Sequence, residues 1–375
     1  MEHAVYLDHN ATTPVRPEAA EAVAAALALT GNPSSVHRHG RMVRRLVEDA
    51  RERVAGLVGA GAAEVVFTSG GTEANALAVR GAGRRRVLVS SIEHVSVLDA
   101  FASAEPIPVD GDGIVDLDAL EAMLAAEDVP ALVSVMLANN ETGVVQPVAA
   151  VASLARRYGA LAHCDAVQAP GRIAVDMKGL GVHMMSLSAH KIGGPAGAGA
   201  LIVADEVPLT AMVRGGGQER GRRAGTENVP GIAGFAASAE AVGAIGDAAE
   251  LARLRDRLER SVRELVPATT IFGSGVPRLP NTSCFSMPGV AGETQVMALD
   301  LGGIAVSAGS ACSSGKVAPS HVLRAMKAGD EHAACALRVS FGWTSNERDV
   351  DRFLDVWGGL YARLGSGAHA RAPAA

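Results

Sequence analysis

What most constrains this chain is a series of short apolar runs, each followed at its carboxyl end by polar residues. Glu64–Thr68 (EVVFT), Arg86–Ser90 (RVLVS), Ala131–Leu137, Ala160–Cys164, His183–Ser188 and Ala200–Val203 read as strands. Helical patterns open at Glu73–Arg80, near Val95–Ser103 and over Val148–Tyr158. Strands and helices alternating at this spacing predict βαβ units in a mostly parallel sheet, an α/β fold. In such sheets the ligand lies at the carboxyl ends of the strands.

After about residue 230 the pattern changes. A helical region rich in Ala, Glu and Arg runs roughly Ile232–Val266, and the remainder mixes short strands and helices as in an α+β lobe. A chain of 375 residues is long for one domain, so two lobes are expected. The expected division is a large lobe over 16–256 and a smaller one from 1–15 with 257–375. The tail Gly365–Ala375 has no apolar period and reads as disordered.

The net charge of −6 suggests neither nucleic acid nor an anionic membrane as partner. No apolar stretch of 18 residues and no signal-peptide pattern occurs, so a cytoplasmic protein is expected. Cysteines stand at 164, 284, 312 and 335, and no pair is spaced as Cys-x-x-Cys. That argues against a zinc or iron–sulfur ligand set, and no resident metal is expected.

Five strand ends carry polar groups. Ser69-Gly70-Gly71-Thr72-Glu73 reads as a plain βα turn or as a phosphate cradle at a helix N-terminus. His94 reads as a structural histidine or as a ring that stacks on a flat ligand or moves a proton. Asn139–Gly143 reads as turn chemistry or as a hydrogen-bond source for a ring hydroxyl. Asp165 follows an apolar run and needs a cationic partner there. Gln168 shares its face if a helical turn follows. Lys191, after Ser188 and His190, enters a glycine-rich turn. Of the four lysines (178, 191, 316 and 327) it alone sits at a strand end beside Ser and His. Together these make a phosphate cradle, a ring-stacking group, a partner for a pyridine nitrogen and an amine. That set suits pyridoxal phosphate.

The chain also resembles a known family. VYLDHNATTP (5–14), GNPSS (31–35), TSGGTEAN (68–75), NNETG (139–143), DAVQA (165–169), SAHK (188–191), GGGQERGRRAGTE (215–227) and GSACSSGKVAPSHVLRAM (309–326) look like the cysteine desulfurases of the NifS/IscS type, in the group with the longer cysteine loop. The resemblance implies a fold-type I, class V aminotransferase-like homodimer with a mostly parallel seven-stranded sheet and pyridoxal phosphate as cofactor. It implies Lys191 as the Schiff-base lysine, Asp165 on the pyridine nitrogen and His94 on the ring. Gly71, Thr72, Ser188 and His190 would form the phosphate cradle, joined by Thr226 from the other subunit. Asn140 and Gln168 would lie near the ring hydroxyl, and Asn32 and Arg338 near the substrate carboxylate. Cys312 would take sulfur from L-cysteine, with L-alanine as the other product. The sulfur would pass to an iron–sulfur scaffold or another acceptor protein, and during transfer Cys312 would come into contact with a cluster. The same resemblance leaves nitrogenase maturation, general cluster assembly and thiolation open as destinations. It leaves selenocysteine lyase, or another class V enzyme, as the alternative activity.

The pattern is departed from at His9, where Asn is usual, at Trp343, where Arg is frequent, and at Val95 and Cys164. None of these removes a catalytic group. Cys312 lies in Ser307–Gly315 (SAGSACSSG), too polar and glycine-rich for a packed element, so an exposed, mobile loop is expected. The other three cysteines read as small core residues. A free thiol is only a few per cent ionised at pH 7, and His94 is the expected acceptor of its proton.

Overall fold

The apolar runs form a seven-stranded sheet in the computed structural model, which describes residues 4–243, 247–308 and 320–364. A two-residue strand, β1 (Val5–Tyr6), comes first. The sheet is then built from β2 (Val65–Thr68), β3 (Arg86–Ser90), β4 (Glu105–Ile107), β5 (Ala131–Ser134), β6 (Leu161–Asp165), β7 (Met184–Ser188) and β8 (Gly199–Val203). Their order across the sheet is β2-β8-β7-β6-β5-β3-β4. β8 runs antiparallel to both of its neighbours, and every other pairing is parallel.

All residues of β2, β3 and β5–β8 are buried, as continuous apolar runs require when both sheet faces are covered. Alternation still divides them. Val66, Val87, Val89, Leu132 and Leu201 pack with Leu77 and Ala78 of the helix Gly71–Gly81. Val65, Leu88, Val133, Ala162 and Ile202 face the opposite core, with the helices Arg38–Gly56, Val148–Arg157 and Val229–Gly243.

The carboxyl ends of β2, β3, β5, β6 and β7 share one edge, because β2 and β7 both oppose β8. β4 was not legible in the sequence. It is a three-residue edge strand that contains Pro106, a residue that sheets admit at edges. The helix expected near Val95–Ser103 is the single turn Val95–Leu98. The long helical region is described as two helices, Val229–Gly243 and Asp247–Leu265.

A separate core gathers β9 (Thr282–Ser286), β10 (Ile304–Ala305), β11 (Ala336–Ser340) and the helices Asp247–Leu265 and Glu347–Leu364. At its centre Phe285 meets Phe353 and Trp357 edge-on, with centroids 6.1 and 5.7 Å apart, a geometry suited to ring quadrupoles. β1 pairs parallel with β10, and β9 antiparallel with β11. The N-terminal residues thus join the later core before Asp8–Thr13 crosses toward the sheet edge. No described helix is long and apolar enough to cross a membrane.

Candidate active site

At the shared strand edge lies a cavity of about 400 Å³. Its wall carries Gly71, Thr72, His94, Asn140, Asp165, Gln168, Ser188, His190, Lys191 and Arg338, ten of the residues named from sequence. Asn32 and Thr226 are not on that wall. Both are exposed, and the Asn32 side chain accepts from the Ser34 amide. Cys312 and the tail Gly365–Ala375 lie outside the described residues.

Lys191 follows β7 in a short 3-10 turn. Its Nζ donates to the carbonyl oxygens of Asn10 and Ala11 at 2.6 and 2.7 Å. The Gln168 amide donates to the same Asn10 carbonyl at 3.0 Å, and Gln168 accepts in turn from the buried Arg172 guanidinium, which also reaches the His9 carbonyl. Burial, with Arg338 adding repulsion, lowers Arg172 to about 9. A tier of side chains thus fixes the backbone that holds the lysine.

Asp165 ends β6 and is 6% exposed. Its carboxylate accepts from Asn75 Nδ2 at 2.7 Å and from the Val167 amide at 3.0 Å. Among the described residues it enters no ion pair, although an ionised carboxylate in such a place calls for a cation. Asn75 was not picked out by sequence. It stands in the quoted TSGGTEAN motif, one helical turn past Gly71, and that periodicity is the signal that would have found it.

The second amide hydrogen of Asn75 reaches Ser96 Oγ at 2.9 Å, and Ser96 Oγ lies 2.8 Å from His94 Nδ1. The Ser96 amide also donates to that Nδ1, at 3.2 Å. His94 is therefore tied to Asp165 through Asn75 and Ser96. Burial lowers its basicity against the pull of Asp165, helped by the charges of Lys191 and His321. Glu93 is fully buried, and burial followed by repulsion from Asp165 raises its carboxyl well above the usual range.

The phosphate end is marked by an orphan. Ser188 Oγ is buried without a hydrogen-bond partner among the described residues. Gly71 opens an 11-residue helix beside it, and a Cβ there would meet Val167 at 3.0 Å and Ser188 at 3.5 Å. Free helix amides, a hydroxyl and His190 form a donor set suited to a phosphate. Burial, with Lys191 next, lowers His190 to about 4, so near neutral pH it offers a neutral ring. A pyridine ring with a phosphate arm fits these residues, with Asp165 at one end and Ser188 and Gly71 at the other.

Arg338 on β11 donates to Asp8 Oδ1 at 2.6 Å and to the Asn140 carbonyl at 3.1 Å, while its buried Nε has no partner among the described residues. Ser307, two residues before the segment that carries Cys312, exchanges backbone hydrogen bonds with Arg338 and donates from its hydroxyl to Asp8. Ser320, just before the turn His321–Ala325, is buried and donates to Glu141 at 2.5 Å.

The departures are packed features. His9 is buried against Thr13 Oγ1 and Tyr6, and burial lowers it to about 3. A Cβ at Gly342 would strike its ring at 2.0 Å. Trp343 donates to the Pro14 carbonyl and carries the Arg16 guanidinium over its ring.

Fold and site together define a class of enzyme, and the chain belongs to the class-V aminotransferase family, whose pattern matches residues 5–353. Within that family it stands among the cysteine desulfurases. It is 47% identical to the cysteine desulfurase of Cereibacter sphaeroides over 94% of each chain. It is 41% identical to the IscS-like cysteine desulfurase of Mycobacterium tuberculosis, over 98% of this chain and 99% of the relative. Among solved structures it is similar to a NifS-like protein from Rickettsia africae, with a TM-score of 0.88 and 36% identity over 96% of this chain and 100% of that one.

Proposed function

We propose that the chain is a cysteine desulfurase that binds pyridoxal phosphate at Lys191 and carries sulfur away on Cys312. The observation that carries the reading is Asp165, a buried carboxylate without an ion pair among the described residues, in the same cavity as the anchored amine of Lys191 and the Ser188 hydroxyl, which has no hydrogen-bond partner among those residues.

When bound, the cofactor supplies an electron sink conjugated to the substrate's Cα. Asp165 would hold the ring nitrogen protonated, Ser188 with the Gly71–Thr72 turn and His190 would hold the phosphate, and His94 would hold the ring. Asn140 and Gln168 would hold the ring hydroxyl. Lys191 moves the proton at Cα. Arg338 holds the substrate carboxylate, as a buried guanidinium on the cavity wall whose Nε lacks an acceptor among the described residues. The Cys312 thiolate forms the sulfur–sulfur bond as the substrate's carbon–sulfur bond breaks. The carbon keeps that electron pair, takes a proton and leaves as alanine.

The reading extends to a homodimer in which Thr226 serves the neighbouring site. Thr226 is exposed and off its own cavity, and Leu27, Val36, Met42 and Met212 are exposed apolar residues. Asn32 then joins the substrate side only in the assembled dimer. An acceptor protein, such as an iron–sulfur scaffold, takes the sulfur in the cytoplasm.

The test is incubation with L-cysteine and a reductant. Sulfide and alanine should appear in equal amounts and in step. Protein carrying the cofactor that makes neither would sink the proposal.

A further inference from the structure

Three imidazoles lie on the cavity wall, and with His190 assigned to the phosphate cradle two remain, His94 and His321. Only one of them has a nitrogen set to accept a proton. The Ser96 backbone amide donates to His94 Nδ1 at 3.2 Å, with Ser96 Oγ 2.8 Å away. A backbone N–H can only donate, so Nδ1 is the unprotonated nitrogen and neutral His94 carries its hydrogen on Nε2. In that tautomer the ring offers a thiol a donor, and its one basic nitrogen is already engaged.

His321 has the opposite arrangement. Its Nε2 lies 2.9 Å from the carbonyl oxygen of Glu93, the residue directly before His94. A carbonyl can only accept, so the His321 hydrogen sits on Nε2 and Nδ1 is the basic nitrogen. No described residue is hydrogen-bonded to Nδ1. The ring is half-buried, and it follows Ser320, whose side chain is fixed by Glu141 and caps the turn His321–Ala325. The Glu93 carbonyl is placed to stabilise the ring once Nδ1 is protonated, as an orienting acceptor does for a histidine base.

We infer that His321, not His94, is the base that takes the proton of the attacking thiol in this cavity. The inference rests on the sulfur-transfer reading above. The thiol's S–H bond breaks and its proton moves to His321 Nδ1. The sulfur's electron pair forms the sulfur–sulfur bond, and the substrate's carbon–sulfur pair passes to carbon. Carbon then takes up one proton, so none is gained or lost overall. The titratable and charged groups that line the cavity with His321 are His94 after β3, Glu141 after β5, Asp165, His190 and Lys191 across it, and Arg338 on β11, while Glu93 meets the ring through its backbone carbonyl.

His321→Gln separates this role from a structural one, because its amide can still donate to the Glu93 carbonyl but cannot accept the proton. With the cofactor-loaded enzyme, alanine formation at pH 7 should fall about ten- to a hundredfold, within the usual range for general-base catalysis. The visible absorption of the bound cofactor should not change. The deficit should close above pH about 9, where a thiol of ordinary pKa near 8.5 ionises unaided. His321→Ala should show the same deficit, and added imidazole should recover part of it. A parental rate and pH profile in His321→Gln would overturn the inference, as would a deficit that persists unchanged at pH 9.5. So would loss of the cofactor's absorption in both variants. Failure of the unsubstituted enzyme to make alanine would instead overturn the sulfur-transfer reading, and this assignment with it.

Discussion

Lys191 Nζ donates to the carbonyl oxygen of Asn10 at 2.6 Å, across 181 positions of sequence. The amine at the end of β7 is therefore held by a segment whose own strand, β1, pairs with β10 in the other core. The Gln168 and Arg172 side chains hold that segment from below. An amine anchored in this way has a fixed position from which to meet a carbonyl carbon in the cavity.

The first expectation is covalent attachment at that amine. Protein purified with pyridoxal phosphate should be yellow, and borohydride should bleach the band. Peptide mapping should place the reduced adduct on Lys191. An adduct at Lys178, Lys316 or Lys327 would refute the assignment.

The cysteines should divide sharply. Cys164, Cys284 and Cys335 are buried. Burial raises the pKa of all three thiols, and for Cys164 the charges of Asp165 and Glu93 add to the effect. Thiolates, not thiols, react. Iodoacetamide should therefore label native protein at Cys312 and reach the other three only after unfolding. Cys312→Ala should lower alanine and sulfide formation at least about a hundredfold and leave the yellow colour. Alanine at 164, 284 or 335 should keep most of the activity. Near-parental turnover by Cys312→Ala would end the desulfurase reading.

Arg338 predicts a separation of binding from turnover. Arg338 is 4% exposed and paired with Asp8, and its Nε is unsatisfied among the described residues. Lysine offers a point charge without the planar fork. Arg338→Lys should raise KM for cysteine about tenfold or more, which is about 1.4 kcal/mol, with a smaller change in kcat. Asp8→Ala leaves a buried cation uncompensated and should cost about 3 kcal/mol of stability, read from urea unfolding. Unchanged KM in Arg338→Lys would place the substrate carboxylate elsewhere.

His163 should make the fold sensitive to acid. It is buried between Ser134 on β5 and Ser186 on β7, at 2.8 and 2.9 Å, and burial lowers it to about 4. A histidine with a depressed folded pKa contributes stability that is fully present above its unfolded value, about 6.5. That stability is lost as pH falls toward 4, because the unfolded chain binds the proton first. The contribution at pH 4.5 is a loss of about 2 kcal/mol relative to pH 7. Glu93 acts with the opposite sign, so the comparison is best made against His163→Gln, in which the other groups cancel. The substituted protein should lose about 2 kcal/mol less between pH 7 and 4.5. Parallel pH curves for the two proteins would disprove the contribution.

The strands of the sheet were legible because each is a short apolar run bounded by turn residues, and local pattern is what a sequence displays directly. The chemistry at their ends was legible for the same reason: Asp165, Ser188, His190 and Lys191 each sit at or just after the last residue of a buried strand. The antiparallel course of β8 was not legible, since a buried run reads alike in either direction. Nor was β4, whose Pro106 disguises an edge strand.

The sequence by itself thus determined the α/β class and most of the polar side chains that line the cavity, through periodicity and the position of polar residues within it. Only the tertiary structure decided how those side chains are held and which state they adopt. The Asn10 carbonyl on Lys191, the Asp8 carboxylate on Arg338 and the Glu93 carbonyl on His321 join residues 181, 330 and 228 positions apart. Two of these three contacts use backbone oxygens, which every residue carries and no sequence pattern marks. The tautomers of His94 and His321 follow from whether the nearest backbone group is an N–H or a carbonyl, and only the packing of distant segments fixes that.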